Sequence, residues 1–129
     1  MTYLVDTHWL VSFLNGRTQA VELLDKLSAD GISVSMVVCG EVYEGFANYP
    51  DAQARLAQFD ALLETVDLIT LDRQIAREYG RLRSELRAKG QLIPDNDIWI
   101  AATALAYDLT LLSSDRHYER IPELKRYQG

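Results

Sequence analysis

Hydrophobic positions along the chain follow two alternating patterns: short β-branched runs, and longer stretches with an apolar residue every three or four positions. The short runs predict four strands, over residues 2–6, 32–36, 66–70 and 109–113. The longer stretches predict helices over residues 7–15, 18–29, 37–48, 51–64, 72–89 and 94–107, followed by a short mixed tail over 116–129. Strands that alternate with helices predict an α/β fold, with a parallel sheet of four to five strands flanked by helices.

Local signals place the ends of these elements. Gly16, Gly31 and Gly90 each follow the last residues of a predicted helix, and Asp72 is positioned to cap the start of the fifth. The 129 residues contain no repeat, low-complexity tract or linker, and this length is sufficient for one hydrophobic core. We therefore expect a single domain over residues 1–129.

Charge is distributed unevenly along the chain. The net charge is −6, with 11 acidic and 3 basic residues up to position 72 and 8 acidic and 10 basic residues after it. This acidity argues against general nucleic-acid binding, although the C-terminal half could hold a polyanion. A single cysteine, Cys39, excludes an internal disulfide, and no apolar run approaches the ~20 residues of a membrane span. We expect a cytoplasmic protein without a membrane partner.

Four carboxylates follow or lie near predicted strand ends. Asp6 ends the first strand, Glu41 lies one turn into the helix after the second, Asp97 lies in the first turn of the sixth helix, and Asp115 follows the fourth strand by two serines. The connections of a right-handed parallel sheet bring these positions to one rim. Clustered carboxylates repel each other unless one is protonated or a cation binds, and an all-oxygen site suits Mg²⁺ or Mn²⁺. Such a site serves phosphoryl transfer.

Each of these acids also has a purely structural interpretation. Asp6 could begin a turn, Asp97 could interact with a helix dipole, Asp115 could cap a helix and Glu41 could be solvated. The two histidines, His8 and His117, lack a nucleophile partner, and we interpret both as packing or surface residues.

Four segments carry a family resemblance: YLVDTHWLVSFLNG, SMVVCGEVYEG, IPDNDIWIAATALAYDLTLLSSD and RHYERIPEL. Together they resemble the PIN domain, specifically the VapC-type toxin ribonucleases of bacterial toxin–antitoxin pairs. The resemblance covers nearly the whole chain, and residues 50–90 are its least diagnostic part.

The resemblance implies a role for each matched residue. The catalytic carboxylates are Asp6, Glu41, Asp97 and Asp115. Of these, Asp6 and Asp97 are the implied metal ligands, and Glu41 and Asp115 act directly or through water. Ser113 stands where the family has Thr or Ser, and Thr7 could orient a carboxylate or a water. Asp95 lies outside the matched positions, and we interpret it as a helix cap.

The implied function is a Mg²⁺-dependent endoribonuclease, with Mn²⁺ as a substitute, acting as the toxin of a toxin–antitoxin module. RNA is the implied substrate, a VapB-like antitoxin the partner, and a homodimer the assembly. Alternatives are a non-toxin PIN-domain nuclease of RNA processing, or another Mg²⁺-dependent domain. A HAD-type phosphatase needs a second Asp where His8 stands, and a receiver-type phosphoacceptor needs a Lys directly after the last strand, where LLSSDRHY has none.

Two helical faces have open interpretations. On the fifth helix, an apolar stripe is predicted to be buried opposite five arginines, which form either a solvated face partly paired with Glu78 and Glu85 or a track for RNA phosphates. The arginines are Arg73, Arg77, Arg81, Arg83 and Arg87, and the stripe is Ile75, Tyr79, Leu82 and Leu86. On the fourth helix, the stripe Ala52, Leu56, Phe59 and Leu63 is either core or an antitoxin contact face.

Overall fold

A four-stranded parallel sheet flanked by helices organises residues 2–128, the part of the chain that the computed structural model describes. The strands are β1 (Tyr3–Val5), β2 (Ile32–Ser35), β3 (Asp67–Ile69) and β4 (Thr110–Leu112). The helices are α1 (Thr7–Leu14), α2 (Thr18–Ser28), α3 (Met36–Phe46), α4 (Ala52–Leu63), α5 (Arg73–Ala88) and α6 (Asp95–Ala106), followed by a 3₁₀ turn over Arg116–Arg120. The predicted α/β architecture is confirmed, and the strands are shorter than their hydrophobic runs.

The strand order is β3-β2-β1-β4. The first three strands lie side by side in chain order, and the chain then returns across the sheet so that β4 pairs with the other edge of β1. The connections therefore change direction between β1 and β4, which is where open α/β sheets bind ligands. Val5 is in register with Leu112. Asp6 and Ser113 thus leave adjacent strands at the same level.

Helix ends follow the predicted signals. Asp72 caps α5, since its Oδ1 accepts a hydrogen bond of 2.9 Å from the Ile75 N–H. Gly90 follows α5 with a φ of +66°, a left-handed conformation that glycine adopts without steric cost. The same conformation at Gly16, with a φ of +73°, separates α1 from α2.

Helix α6 is buried along most of its length after the exposed Asp95 and Asn96. The run Ile100–Ala104 is entirely buried, and Ile98 is fully covered as well. On the remaining side Trp99 stacks on Tyr79 of α5, with ring centroids 3.8 Å apart. This packing fixes the N-terminal turn of α6, which carries Asp97.

The tail extends the sheet by one bridge. Leu111 N–H donates to the Lys125 carbonyl at 2.8 Å, and Tyr127 N–H donates to the Leu111 carbonyl at 2.9 Å. Leu111 of β4 and Arg126 thus form an isolated parallel bridge, and Arg126 belongs to none of the four strands. Within residues 2–128, no helix has both the length and the apolar character needed to cross a bilayer.

Candidate active site

The six residues predicted to form the site all line one cavity at the carboxyl ends of the strands. The cavity measures about 440 Å³. Its lining is Asp6, Thr7, His8, Glu41, Asp97, Ser113, Ser114 and Asp115. The sheet thus brings together residues from four separate parts of the chain, as the strand-end argument predicts.

Asp6 is the most buried acid of this cavity, with 8% of its surface exposed. It is the N-cap of α1, where its Oδ1 accepts from the Thr7 N–H at 2.9 Å, and its Oδ2 accepts from the Ser113 hydroxyl at 2.6 Å. Burial raises the pKa of the Asp6 carboxyl above its ordinary value; the two hydrogen bonds lower it, and the charges of Asp97 and Glu41 raise it. The carboxylate is held in one orientation at an energetic cost to its ionised form.

Thr7 connects two elements of the site. Its hydroxyl donates to Glu41 Oε1 at 2.6 Å, and this bond links the start of α1 to α3. Asn96 Nδ2, from α6, lies 3.5 Å from Glu41 Oε2, at the outer limit of a hydrogen bond. Both oxygens of Glu41 therefore have neighbouring donors, one of which is the Thr7 hydroxyl.

Ser113 and Asp115 are joined by a short turn after β4. The Ser113 hydroxyl accepts from the Asp115 N–H at 3.1 Å while it donates to Asp6. Asp115 Oδ1 accepts from the His117 N–H at 2.9 Å and caps the 3₁₀ turn. The capping interpretation of Asp115 is thus confirmed, and the residue lines the cavity as well.

His117 lies beside the acids of the cavity with 41% of its side chain exposed, so it is a surface residue that also contacts the site. Its Nδ1 lies 2.8 Å from Asp97 Oδ2 and 3.2 Å from Asp115 Oδ1. Nδ1 is therefore within hydrogen-bond distance of both carboxylates. The partners of His117 are thus two carboxylates and not a nucleophile.

Asp97 is the second acid whose ionisation is disfavoured. Burial raises the pKa of its carboxyl, and the charges of Asp115 and Glu41 act in the same direction, while the contact with His117 lowers it. Only 14% of the Asp97 side chain is exposed. The environment therefore favours either a proton or a cation at this position.

Asp95 makes no cap hydrogen bond, so its predicted capping role is wrong. It is the first residue of α6, and Pro94 occupies the cap position. The Asp95 carboxylate instead accepts from Arg83 Nε at 3.0 Å on the surface. This ion pair connects α5 to the first turn of α6, which also carries Asp97.

Tyr118 is a neighbour of the site that the sequence does not single out. It is fully buried, and its hydroxyl has no hydrogen-bond partner among residues 2–128. Burial raises the pKa of the phenol well above its usual range, and the charges of Asp6 and Asp97 act in the same direction. The phenol therefore stays protonated and remains a donor beside the acids.

The donor set of the cavity fits a hard divalent cation. Carboxylate oxygens are the ligands that Mg²⁺ and Mn²⁺ prefer. A bound cation would favour the ionised forms of Asp6 and Asp97, whose pKa values are raised chiefly by burial and further by the neighbouring carboxylates. One ligand atom each from Asp97, Asp115 and His117 lie within 4.8 Å of one another. The imidazole nitrogen adds a donor that suits transition metals better than Mg²⁺.

The five arginines of α5 do not line the cavity. Arg81 is paired on the helix surface, 2.6 Å from Glu78 and 3.1 Å from Glu85, and Arg83 is paired with Asp95. The apolar stripe opposite them is buried at Ile75, Leu82 and Leu86. The solvated, partly paired interpretation is therefore confirmed for Arg81; for Arg73, Arg77 and Arg87 no ion pair is present within the described chain.

The apolar stripe of α4 packs mainly inward. Phe59 is fully buried, and Leu56 and Leu63 pack against the core from partly buried positions. This arrangement agrees with the core interpretation of the stripe.

Comparison with known proteins identifies one family over nearly the whole chain. The profile of the PIN domain matches residues 3–124. Ribonuclease VapC19 of Mycobacterium tuberculosis is 34% identical over 125 residues, covering 95% of this chain and 96% of that protein. Ribonuclease VapC2 of Rickettsia felis is 30% identical over 129 residues, covering 96% of this chain and 95% of that protein.

The fold is similar to that of a solved complex. A chain in the crystal structure of VapBC2 from Rickettsia felis, bound to a DNA fragment from their promoter, superposes with a TM-score of 0.89. The two chains are 28% identical, and the match covers 98% of each.

Proposed function

This chain belongs to the PIN domain family, and from that membership we propose that it is a metal-dependent endoribonuclease acting as the toxin of a toxin–antitoxin pair. The observation that carries the proposal is the single cavity in which Asp6, Glu41, Asp97 and Asp115 meet. Carboxylates from four parts of one chain, two of them with raised pKa values, are suited to holding a divalent cation for phosphodiester hydrolysis.

Asp6 and Asp97 would hold the metal, with Glu41 and Asp115 as further ligands directly or through water. The proposed ion is Mg²⁺, for which Mn²⁺ can substitute, since both accept carboxylate oxygens. When bound, such an ion polarises the phosphate and lowers the pKa of the attacking water.

The remaining side chains orient these acids. Ser113 fixes Asp6, Thr7 fixes Glu41, and His117 fixes Asp97 and Asp115, each through the hydrogen bonds described above. Hydrogen bonds of this kind hold the carboxylates in place before the metal and the substrate bind. Less ordering is then needed on binding, which raises the metal affinity and the rate of cleavage. We assign Ser113, Thr7 and His117 as positioning residues.

RNA would approach an otherwise acidic cavity with help from cations outside it. Of the five α5 arginines, two are already in ion pairs, Arg81 and Arg83. The arginines available for phosphates are therefore Arg73, Arg77 and Arg87. Each phosphate contact of this type contributes salt-dependent affinity without selecting a sequence.

The proposed partner is a VapB-like antitoxin that covers the acidic cavity, and the proposed assembly is a homodimer in the cytoplasm. The similar Rickettsia felis structure is a VapBC complex bound to DNA from its promoter, which supports a partner of this type. An antitoxin segment with a basic side chain would complement the four carboxylates of the cavity.

Membership of the PIN domain family decides against the HAD-type phosphatase and receiver-type alternatives. A non-toxin PIN-domain nuclease would share the same four carboxylates. The named relatives are VapC ribonucleases, which favours the toxin.

The test is cleavage of total cellular RNA by the purified protein with Mg²⁺ or Mn²⁺, followed by sequencing of the fragment ends. We expect discrete cleavage sites with the wild type and none with Asp97→Asn. Co-purification with the product of a neighbouring short reading frame, with loss of cleavage in the complex, would support the toxin role. Random degradation that Asp97→Asn does not reduce would contradict the proposal.

A further inference from the structure

A second groove lies beside the acidic cavity, between α1 and the start of α2. It measures about 670 Å³, within the range of binding sites for small organic groups. Its lining includes His8, Trp9, Ser12, Arg17, Gln19 and Ser114. This set differs from the acidic cavity in having a cation, two aromatic rings and neutral polar groups.

The groove and the cavity are adjacent. His8 and Ser114 line both of them. His8 follows Asp6 by two residues on α1, and Ser114 lies between Ser113 and Asp115. The groove is therefore the space that a chain-like ligand in the cavity would border on this side.

The aromatic side chains form one wall of the groove. The His8 and Trp9 rings meet edge to face, with centroids 6.1 Å apart and planes at 83°. His8 is exposed and Trp9 is partly buried, so the indole is anchored in the protein while part of it borders the groove. Such rings stack on unpaired nucleobases, and this stacking contributes affinity with any base.

Arg17 supplies the charge. It occupies the N-cap position of α2, where its N–H donates to the Ser12 carbonyl at 3.0 Å, and its side chain is in no ion pair among residues 2–128. The half of the chain up to residue 72 has three basic residues, Arg17, Lys26 and Arg55, and Arg55 is paired with Asp51. An unpaired guanidinium next to an acidic cavity favours a ligand that carries its own anion.

We propose that this groove holds the unpaired nucleotide adjacent to the scissile phosphate, with its base against His8 and Trp9 and its phosphate on Arg17. The inference rests on the proposed ribonuclease function and assigns the substrate subsite of that reaction. Ser12 and Gln19 offer donors and acceptors to the edge of the base, so they are the residues that would set base preference.

A nucleotide fits this set better than a peptide segment of an antitoxin. A segment that neutralises the four carboxylates would carry basic side chains, and Arg17 would repel them. A nucleotide instead brings a phosphate to Arg17 and an aromatic face to Trp9, so both halves of the groove are used.

The first measurement is RNA binding in the Asp97→Asn background, in which the probe should survive. The probe is a fluorescein-labelled pool of random-sequence, single-stranded RNA dodecamers, followed by fluorescence polarisation in Mg²⁺. We expect Arg17→Gln to weaken binding about three- to tenfold, and to reduce the slope of log affinity against log salt by about 0.7, the value for one contact to a single strand.

Lys26→Gln is the matched control. Lys26 lies on the same helix and is also in no ion pair within the described residues, but it is nine residues further along, about 13 Å on a helix. The control removes the same charge from the same element, and we expect its affinity and salt slope to match those of the parent.

The second measurement follows Trp9 directly. The chain has two tryptophans, so Trp99→Phe in the same background leaves Trp9 as the only indole. We expect RNA to quench its fluorescence with the midpoint found by polarisation. Arg17→Gln should move both midpoints together.

The outcomes separate the subsite from the ribonuclease function. If wild-type protein cleaves RNA while Arg17→Gln binds like Lys26→Gln and Trp9 does not respond, the subsite is overturned and the function stands. If Trp9 responds only to a co-purified antitoxin, the groove belongs to the protein partner and the subsite is again overturned. If the wild type neither binds nor cleaves RNA, the proposed function itself fails.

Discussion

The Ser113 hydroxyl donates a hydrogen bond of 2.6 Å to Asp6 Oδ2, across 107 positions of the sequence. It joins the carboxyl ends of β4 and β1, the two strands between which the sheet reverses its order of connection. The bond lowers the pKa of a carboxyl whose burial raises it. Ser113 thus keeps the most buried acid of the cavity oriented and more easily ionised.

Removing that hydroxyl should weaken metal binding. In Ser113→Ala, Asp6 loses a donor and the Asp115 N–H loses its acceptor, so we expect the Mn²⁺ affinity to fall about 10- to 100-fold, as for other residues that orient ligands. Ser113→Thr keeps the hydroxyl and should restore the affinity. Titration calorimetry with Mn²⁺ checks this, and equal affinities for Ala and Thr would show that the bond does not matter.

Asp6→Asn and Asp97→Asn should each reduce RNA cleavage by about 100-fold or more, because each removes a proposed metal ligand. In the metal-free state both variants should melt no lower than the wild type. The substitution removes one of several repelling charges, and Asn caps a helix as well as Asp does at position 6. Thermal unfolding in EDTA is the measurement; a large drop for Asp97→Asn would indicate a structural role.

The stability of the metal-free protein should fall as pH rises through the acidic range. Asp6 and Asp97 have raised pKa values, so between the unfolded and folded pKa values the folded state binds more protons than the unfolded state. The free energy of unfolding then decreases with increasing pH across that window. Added Mg²⁺ should reverse the trend by stabilising the ionised carboxylates.

Urea unfolding from pH 4 to 8, with and without Mg²⁺, measures this dependence. Asp6→Asn provides the control, since it lacks the more buried of the two groups and should show a flatter profile. A wild-type profile that is the same in Mg²⁺ and in EDTA would contradict metal binding at these acids.

Chelation should stop RNA cleavage, and either Mg²⁺ or Mn²⁺ should restore it, because the carboxylate cavity supplies ligands for both ions. The assay compares EDTA-dialysed protein before and after the ion is returned. Undiminished cleavage after exhaustive dialysis in excess EDTA would instead favour acid–base chemistry by a histidine.

On α5, Arg77→Ala together with Arg81→Ala should weaken RNA binding evenly across sequences and reduce its salt dependence. Because Arg81 is already paired with Glu78 and Glu85, Arg77→Ala alone should produce most of the effect. Metal affinity should not change in either variant. Salt titrations of RNA binding test this. If the double variant has an unchanged Michaelis constant and an unchanged slope of log affinity against log salt, the arginine face of α5 is only solvated surface.

Much of the fold could be predicted from local sequence. The strand and helix periods, the glycine at the end of α5 and the cap at Asp72 depend on residues close in the chain, whose backbone preferences act independently of the rest. Alternation of strands and helices then leaves a parallel sheet as the arrangement that buries both faces, and its strand ends indicate Asp6 and Asp115. The identity of the acids was thus present in the sequence.

Only the tertiary structure decided what surrounds those acids. The contact of His117 with Asp97, the ion pair of Arg83 with Asp95 and the burial of Tyr118 depend on how α5, α6 and the last turn pack on the sheet. Side-chain contacts of this kind are set by distances across the folded chain, about which local periodicity carries no information. The sequence therefore determined which carboxylates meet, and the packing decided which of them are buried and which are paired.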